Sequence, residues 1–199
     1  MPKKNASNWV SRSDKTLTEI GLGHLLGNEG GTRNISNVLE QRLRDIFHQE
    51  AFGAMENVSS KLRTYKLLKT QVGLESYLTN LKNVNHRRSL TKIRLSSHKL
   101  MIETGRYQNI DLNNRICLFC KSEVEDEIHF VIKCKTYSQL RTEFLNKCIY
   151  YDRNFESYSD KEKFVFLFTN KHLQTMVARF CYLANELRTF LMKDPKNHS

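Results

Sequence analysis

Cys117, Cys120, His129 and Cys134 follow one another as C-x2-C-x8-H-x4-C, four soft or borderline ligands within 18 residues. Cys117-Leu118-Phe119-Cys120 places two thiolates two residues apart, so one turn of chain can present both to a single tetrahedral ion. Thiolate and imidazole together suit zinc, and four protein ligands leave no open position for a reactive water. The spacing therefore predicts one structural zinc that supports folding and does no chemistry. The bland alternative is a set of ordinary buried cysteines beside a surface histidine. Cys148 is the weaker substitute for Cys134, and Cys181 falls on an apolar helix stripe and reads as core. The acidic run Glu123, Glu125, Asp126 and Glu127 lies between the ligand pairs. Carboxylates compete poorly with thiolates for zinc, so this run reads as a solvated turn.

The second chemical signal is positive charge. Between Lys61 and Arg106 stand eleven Lys or Arg residues against two Glu, a net +9 of the chain's +11. Arg87, Arg88, Lys92, Arg94, His98, Lys99 and Arg106 are the candidate contacts to nucleic-acid phosphates, where each neutralised phosphate releases counterions. Tyr65, Tyr77 and Tyr107 are interleaved and can stack on unpaired bases. The competing reading is a solvated helix face with its tyrosines in the core. Among the remaining histidines, His24, His48, His86, His98 and His172 need only surface or basic-face roles.

Helices must position these groups. With only 2 prolines and 8 glycines in 199 residues, the chain favours long helices over many strands. The fold class expected is mainly α, a helical domain with a small zinc-stabilised CCHC insert. Residues 1–33 read as a flexible N-terminal arm, with Gly21-Leu22-Gly23 and its neighbours as a hinge and not a nucleotide loop. A basic helical region over 34–106 starts with a helix capped by Asn34, then one from Ser59 or Ser60 to about Thr70, then a piece at Leu74–Leu81. Over His86–Glu103, Leu90, Ile93, Ser97, Leu100 and Met101 share one side at 100° per residue, and the cations spread over the other. The zinc-binding CCHC segment with its following helix, Tyr137–Lys147, occupies 107–150. The C-terminal helical region is 151–199, where Phe164–Phe168 is too short to type and Lys171–Met192 is the clearest helix, ending before Pro195.

A hydrophobic share of 39% and a charged share of 27% fit a folded chain, not a disordered one. No stretch approaches the ~18 apolar residues of a membrane span, and the N-terminus lacks an apolar signal core, so the expectation is an intracellular protein with reduced cysteines and no membrane partner. No carboxylate pairing suits nuclease or RNase H chemistry, and no Tyr-x-Asp-Asp motif is present.

The string Arg94-Leu95-Ser96-Ser97-His98-Lys99-Leu100-Met101-Ile102-Glu103-Thr104-Gly105-Arg106-Tyr107, then Cys117-x-x-Cys120, then Val124-Glu125-Asp126-Glu127-Ile128-His129-Phe130 and Cys134, resembles the C-terminal end of reverse transcriptases from animal non-LTR retrotransposons. Leu140-Arg141 after Tyr137 fits that pattern, and Gln41–Asp45 and Ser60–Lys66 resemble the linker before it. The likeness covers nearly the whole chain and is weakest after about residue 150. It implies a non-catalytic zinc-binding accessory module that helps a polymerase or endonuclease engage RNA or DNA, the polymerase part itself being absent. The alternatives are a zinc-stabilised protein-interaction domain, with a reverse transcriptase or another protein as partner, and a decayed element without present function.

Overall fold

A computed structural model describes residues 9–27, 32–56, 62–69 and 73–193. The expected helix start at Ser59 or Ser60, its end at Thr70, and the stop at Pro195 lie outside the described residues. The chain forms two compact units, Met1–Asn57 and Val58–Ser199.

In the first unit, α1 (Trp9–Glu19) replaces the expected flexible arm over its span. Its hydroxyls satisfy local carbonyls, Ser13 Oγ donating to Trp9 O at 2.9 Å and Thr16 Oγ1 to Arg12 O at 3.0 Å. The first glycine is its stop and not part of a hinge. Gly21 sits at φ +79°, and Leu22 N and Gly21 N donate back to Leu17 O and Thr18 O, the paired bonds that close a helix on a left-handed residue. A 3-10 turn, Gly23–Gly27, follows. Then comes α2 (Thr32–Glu56), where Arg42 Nε donates to Ile20 O at 2.7 Å.

The second unit is built on α9 (Gln174–Lys193), which packs against α5 (Val84–Arg94), α7 (Ser138–Tyr151) and α8 (Asp160–Thr169). Val177, Cys181 and Ala184 on α9 and Leu90 and Ile93 on α5 are all fully buried in one hydrophobic cluster, where the two helices pack. The untyped run Phe164–Phe168 is helical because Ser159 and Glu162 form a capping box ahead of it, and Phe164 stacks on Phe168 at 4.4 Å. Short helices α3 (Arg63–Leu68), α4 (Ser76–Asn80) and α6 (Met101–Tyr107) complete this unit among the described residues. No strand is present among them, and the fold is mainly α as expected.

The segment His86–Glu103 is not one helix. α5 stops at Leu95, and Ser96 adopts φ +49°, with Ser97 N donating to Lys92 O at 2.8 Å and Ser96 N to Ile93 O at 3.2 Å. This is the same closing motif with serine in place of glycine. Its strain is held by the side chain, since Ser96 Oγ donates to Glu127 at 2.7 Å and lies 3.1 Å from Thr64 Oγ1. After a six-residue gap, 95–100, the chain re-enters helix at Met101.

Candidate metal centre

Arg115 to Glu125 folds back on itself, with a single antiparallel bridge between Ile116 and Val124, and Cys117 N donates to Glu123 O at 2.9 Å. At its tip Lys121 takes φ +52° and donates to Cys117 O at 3.0 Å, which turns Cys117 and Cys120 to one side. His129–Lys133 is a π turn, closed by Cys134 N donating to His129 O at 2.7 Å. That turn brings His129 and Cys134 to the thiolate pair. The four ligand atoms all lie within 4.8 Å of one another, with Cys117 Sγ 3.9 Å from Cys134 Sγ and Cys120 Sγ 3.2 Å from His129 Nε2. Bonds of about 2.3 Å to sulfur and about 2.0 Å to nitrogen give tetrahedral edges of about 3.8 and 3.6 Å. Small adjustments, the Cys120–His129 pair opening and the longest separations closing, therefore set these four side chains around one metal ion, and the donor set fits it.

The surroundings favour the same use. Cys117, His129 and Cys134 are buried and Cys120 is half-buried. Glu123 Oε1 lies 3.1 Å from His129 Nδ1, so the imidazole points its other nitrogen at the ligands. Asp126 Oδ1 accepts from His129 N at 2.6 Å and fixes the start of the π turn. Burial lowers the His129 imidazole, but hydrogen bonds with Cys134 and Glu123 outweigh it and raise it to about 9. The hydrogen bond between Cys117 and Cys134 pushes the first thiol up and holds the second well down. Cys148 takes no part; it is buried in α7 and its thiol donates to Phe144 O. Cys181 is core, as expected.

The acidic run is not a solvated turn. Glu125 and Glu127 are 0% and 3% exposed. Glu125 receives a two-pronged salt bridge from Arg188 on α9 and accepts from Met101 N at 2.8 Å, while its backbone carbonyl accepts from Ile102 N. It thus supplies the cap that Leu100, an apolar N-cap residue, cannot provide to α6. Glu127 accepts from Ser96, His98 and Arg63. Burial alone would raise the Glu127 carboxyl; those partners outweigh it and hold it at about 2. Sequence reasoning missed both acids because these carboxylate partners lie 24 to 64 positions away. Arg141 was seen only as part of a motif. It is buried against the π turn and donates to Val131 O at 2.7 Å and Cys134 O at 2.8 Å.

The cations divide into two groups. Arg94 is 2% exposed, pairs with Glu75 at 2.8 Å and donates to Phe168 O, so it belongs to the core and not to a positive face. His98 is likewise turned inward, 2.8 Å from Glu127, because the break at Ser96 rotates it off the helix. Arg87 is half-buried and donates to Leu81 O at 2.8 Å, and Arg106 pairs with Glu103 at 3.1 Å. Tyr77 is buried under Arg94, Tyr65 is half-buried and Tyr107 is exposed. Arg88, Lys92 and Lys99 remain exposed, and all three line one groove of about 600 Å³ between α5 and α9, opposite Tyr182, Asn185 and Thr189. Glu186 is the acid among the groove's lining residues.

No family profile, curated protein or solved structure matches the chain. No described helix is long and apolar enough to cross a membrane.

Proposed function

We propose that this chain is a non-catalytic nucleic-acid-binding module folded around one structural zinc. The closed Cys117–Cys120–His129–Cys134 set supports zinc, since three thiolates and an imidazole in a tetrahedral frame are its preferred company and no position is left for a substrate. The observation that carries the binding reading is the groove between α5 and α9, where Arg88, Lys92 and Lys99 stay exposed while most neighbouring cations are used internally. A row of exposed cations beside a half-buried Tyr182, itself 5.3 Å from His86, suits a phosphate backbone with a base or sugar against the ring. The sequence likeness to retrotransposon reverse transcriptase tails agrees with an accessory role of this kind.

The test is a salt titration of binding to a fluorescent single-stranded RNA, the same DNA strand and its duplex. Replacing Arg88, Lys92 and Lys99 together by alanine is expected to lower the log-log salt slope by about 2 to 3 with helix content unchanged. An unaltered slope overturns the groove as the site. Salt-insensitive capture of an acidic protein, with no nucleic-acid binding, would replace this reading by a protein-interaction one. Metal analysis of reduced protein purified without chelator should return about one zinc per chain.

A further inference from the structure

We propose that the metal centre positions the Lys99-bearing loop, residues 96–102, through Glu125 and Glu127, so that metal binding and polyanion binding in the α5–α9 groove are coupled. This rests on the groove being the polyanion site.

Both acids lie on the short stretch between the ligand pairs, Glu125 and Glu127 standing four and two residues before His129. Neither reaches the ligand cluster as a ligand. Their bonds run instead to the loop that follows α5. Glu125 holds the two amides that open α6, Met101 N through its carboxylate and Ile102 N through its carbonyl. Glu127 holds Ser96 and His98, the residues on which the chain leaves α5. Four of the seven loop residues, 96, 98, 101 and 102, are thus tied to the metal-binding segment, and Lys99 is carried between the ties. A third strut comes from α9. Arg188 pairs with Glu125, donates to Lys99 O at 3.0 Å, and lies 5.0 Å from the Phe119 ring inside the Cys117–Cys120 turn.

On the metal side, Cys117 Sγ lies 3.5 Å from Glu125 Oε1, and Glu125 N donates to Arg115 O at 2.9 Å. An ion that fixes Cys117 and His129 therefore fixes the segment from which both carboxylates extend. Without it, the ties through Glu125 and Glu127 slacken; the loop keeps its closing bonds at Ser96 and Ser97, the Ser96–Thr64 contact and the Arg188 bond to Lys99 O, and Lys99 is held less firmly relative to Arg88 and Lys92. The solvated-turn reading gives these acids no task; their burial and their partners assign them one. The coupling is reciprocal, so a bound polyanion must tighten the metal by the factor by which the metal tightens the polyanion.

The experiment uses the full chain loaded with zinc and, for spectroscopy, with cobalt(II). Glu125→Gln removes a negative charge from a buried site outside the groove, so simple electrostatics predicts tighter binding of a 20-nucleotide single-stranded RNA. Coupling predicts the opposite sign, about tenfold weaker binding, together with faster amide exchange at 97–102 while the cobalt–thiolate absorption is retained. Glu127→Gln is the second variant and should do the same from the other end of the loop. Unchanged exchange at 97–102 with unchanged or tighter RNA binding overturns the proposal. Where neither variant folds, the wild-type chain decides it. Chelation must speed exchange at 97–102 as well as at 115–134, and exchange confined to 115–134 overturns it. Wild-type protein that binds no RNA sinks the groove reading alone, and the exchange measurement still rules on the coupling.

Discussion

Arg141 shows how much a single side chain can hold together. Its guanidinium is buried, no carboxylate among the described residues is bonded to it, and burial pulls its basicity down against the opposing charge of Cys134. The fork serves the π turn instead, donating to the carbonyls of Val131 and Cys134, the second of which also accepts from Tyr137 N at 3.2 Å. Arg141→Met keeps most of the stem volume but removes both bonds, which costs about 1–3 kcal/mol where a buried acceptor is left unmade. The expected outcome is a urea midpoint shifted by about 2 kcal/mol with an unchanged slope. Arg141→Lys should rescue only part of this, because one ammonium cannot reproduce a planar fork. Glu127 gives the pH counterpart. Its carboxyl is held at about 2 in the fold against an ordinary 4.5, so its stabilisation is complete above about pH 4.5 and is lost as pH falls toward 2. Denaturation midpoints measured from pH 6 to pH 2.5 should fall in that window, and Glu127→Gln should flatten that part of the profile.

Helix identity was readable and helix interruption was not. The periodicity of Leu90, Ile93, Val177, Phe180, Cys181 and Ala184 located α5 and α9 and their buried faces. The ligand set was legible for a local reason, since 18 contiguous residues contain it all. The stop at Ser96 carries no glycine or proline, and it depends on Glu127, whose position the local pattern does not contain. Missing that stop moved Arg94 and His98 to the wrong face and hid the capping of α6 by Glu125. Charge pattern alone likewise could not separate cations spent on buried acids from those left for a partner. Gly105 in α6 tests the packing of this region. A Cβ there would lie 2.7 Å from Arg115 Cγ, in the stem whose head donates to Ile102 O and Ile110 O. Alanine would gain helix propensity of about 1 kcal/mol, yet overpacking costs about 1–3 kcal/mol and here also dislodges two hydrogen bonds. Gly105→Ala is therefore expected to lower the melting temperature; a rise would show that Arg115 moves aside freely.

At the scale of the second unit, the metal-binding segment is part of the core and not an appendage. Phe130, one residue after His129, packs on Tyr137 at 4.9 Å and on Phe180 of α9 at 5.9 Å. Cys117 and Cys134 themselves belong to the hydrophobic cluster that joins α5, α7, α8 and α9. Structural zinc binds with about 10–16 kcal/mol in isolated zinc-finger peptides, comparable with the about 5–15 kcal/mol that holds a whole domain. Where the fold already gathers the ligands, less of that affinity goes into ordering them and more of it stabilises the folded unit, so removal is expected to be felt beyond the loop. Chelation should lower the melting temperature of the second unit by at least about 10 °C, since each kcal/mol is worth about 2–8 °C in domains of this size, and added zinc should restore it. The pH dependence has a definite sign. His129, raised to about 9, carries a proton at neutral pH that an ion must displace, and Cys117, pushed up, carries another. Zinc binding must release protons, so apparent affinity rises with pH across neutrality and the metal-dependent part of the stability fades on acidification. Calorimetry in buffers of different ionisation enthalpy measures the proton count directly, and a binding heat independent of buffer would mean that the four side chains do not hold the ion together.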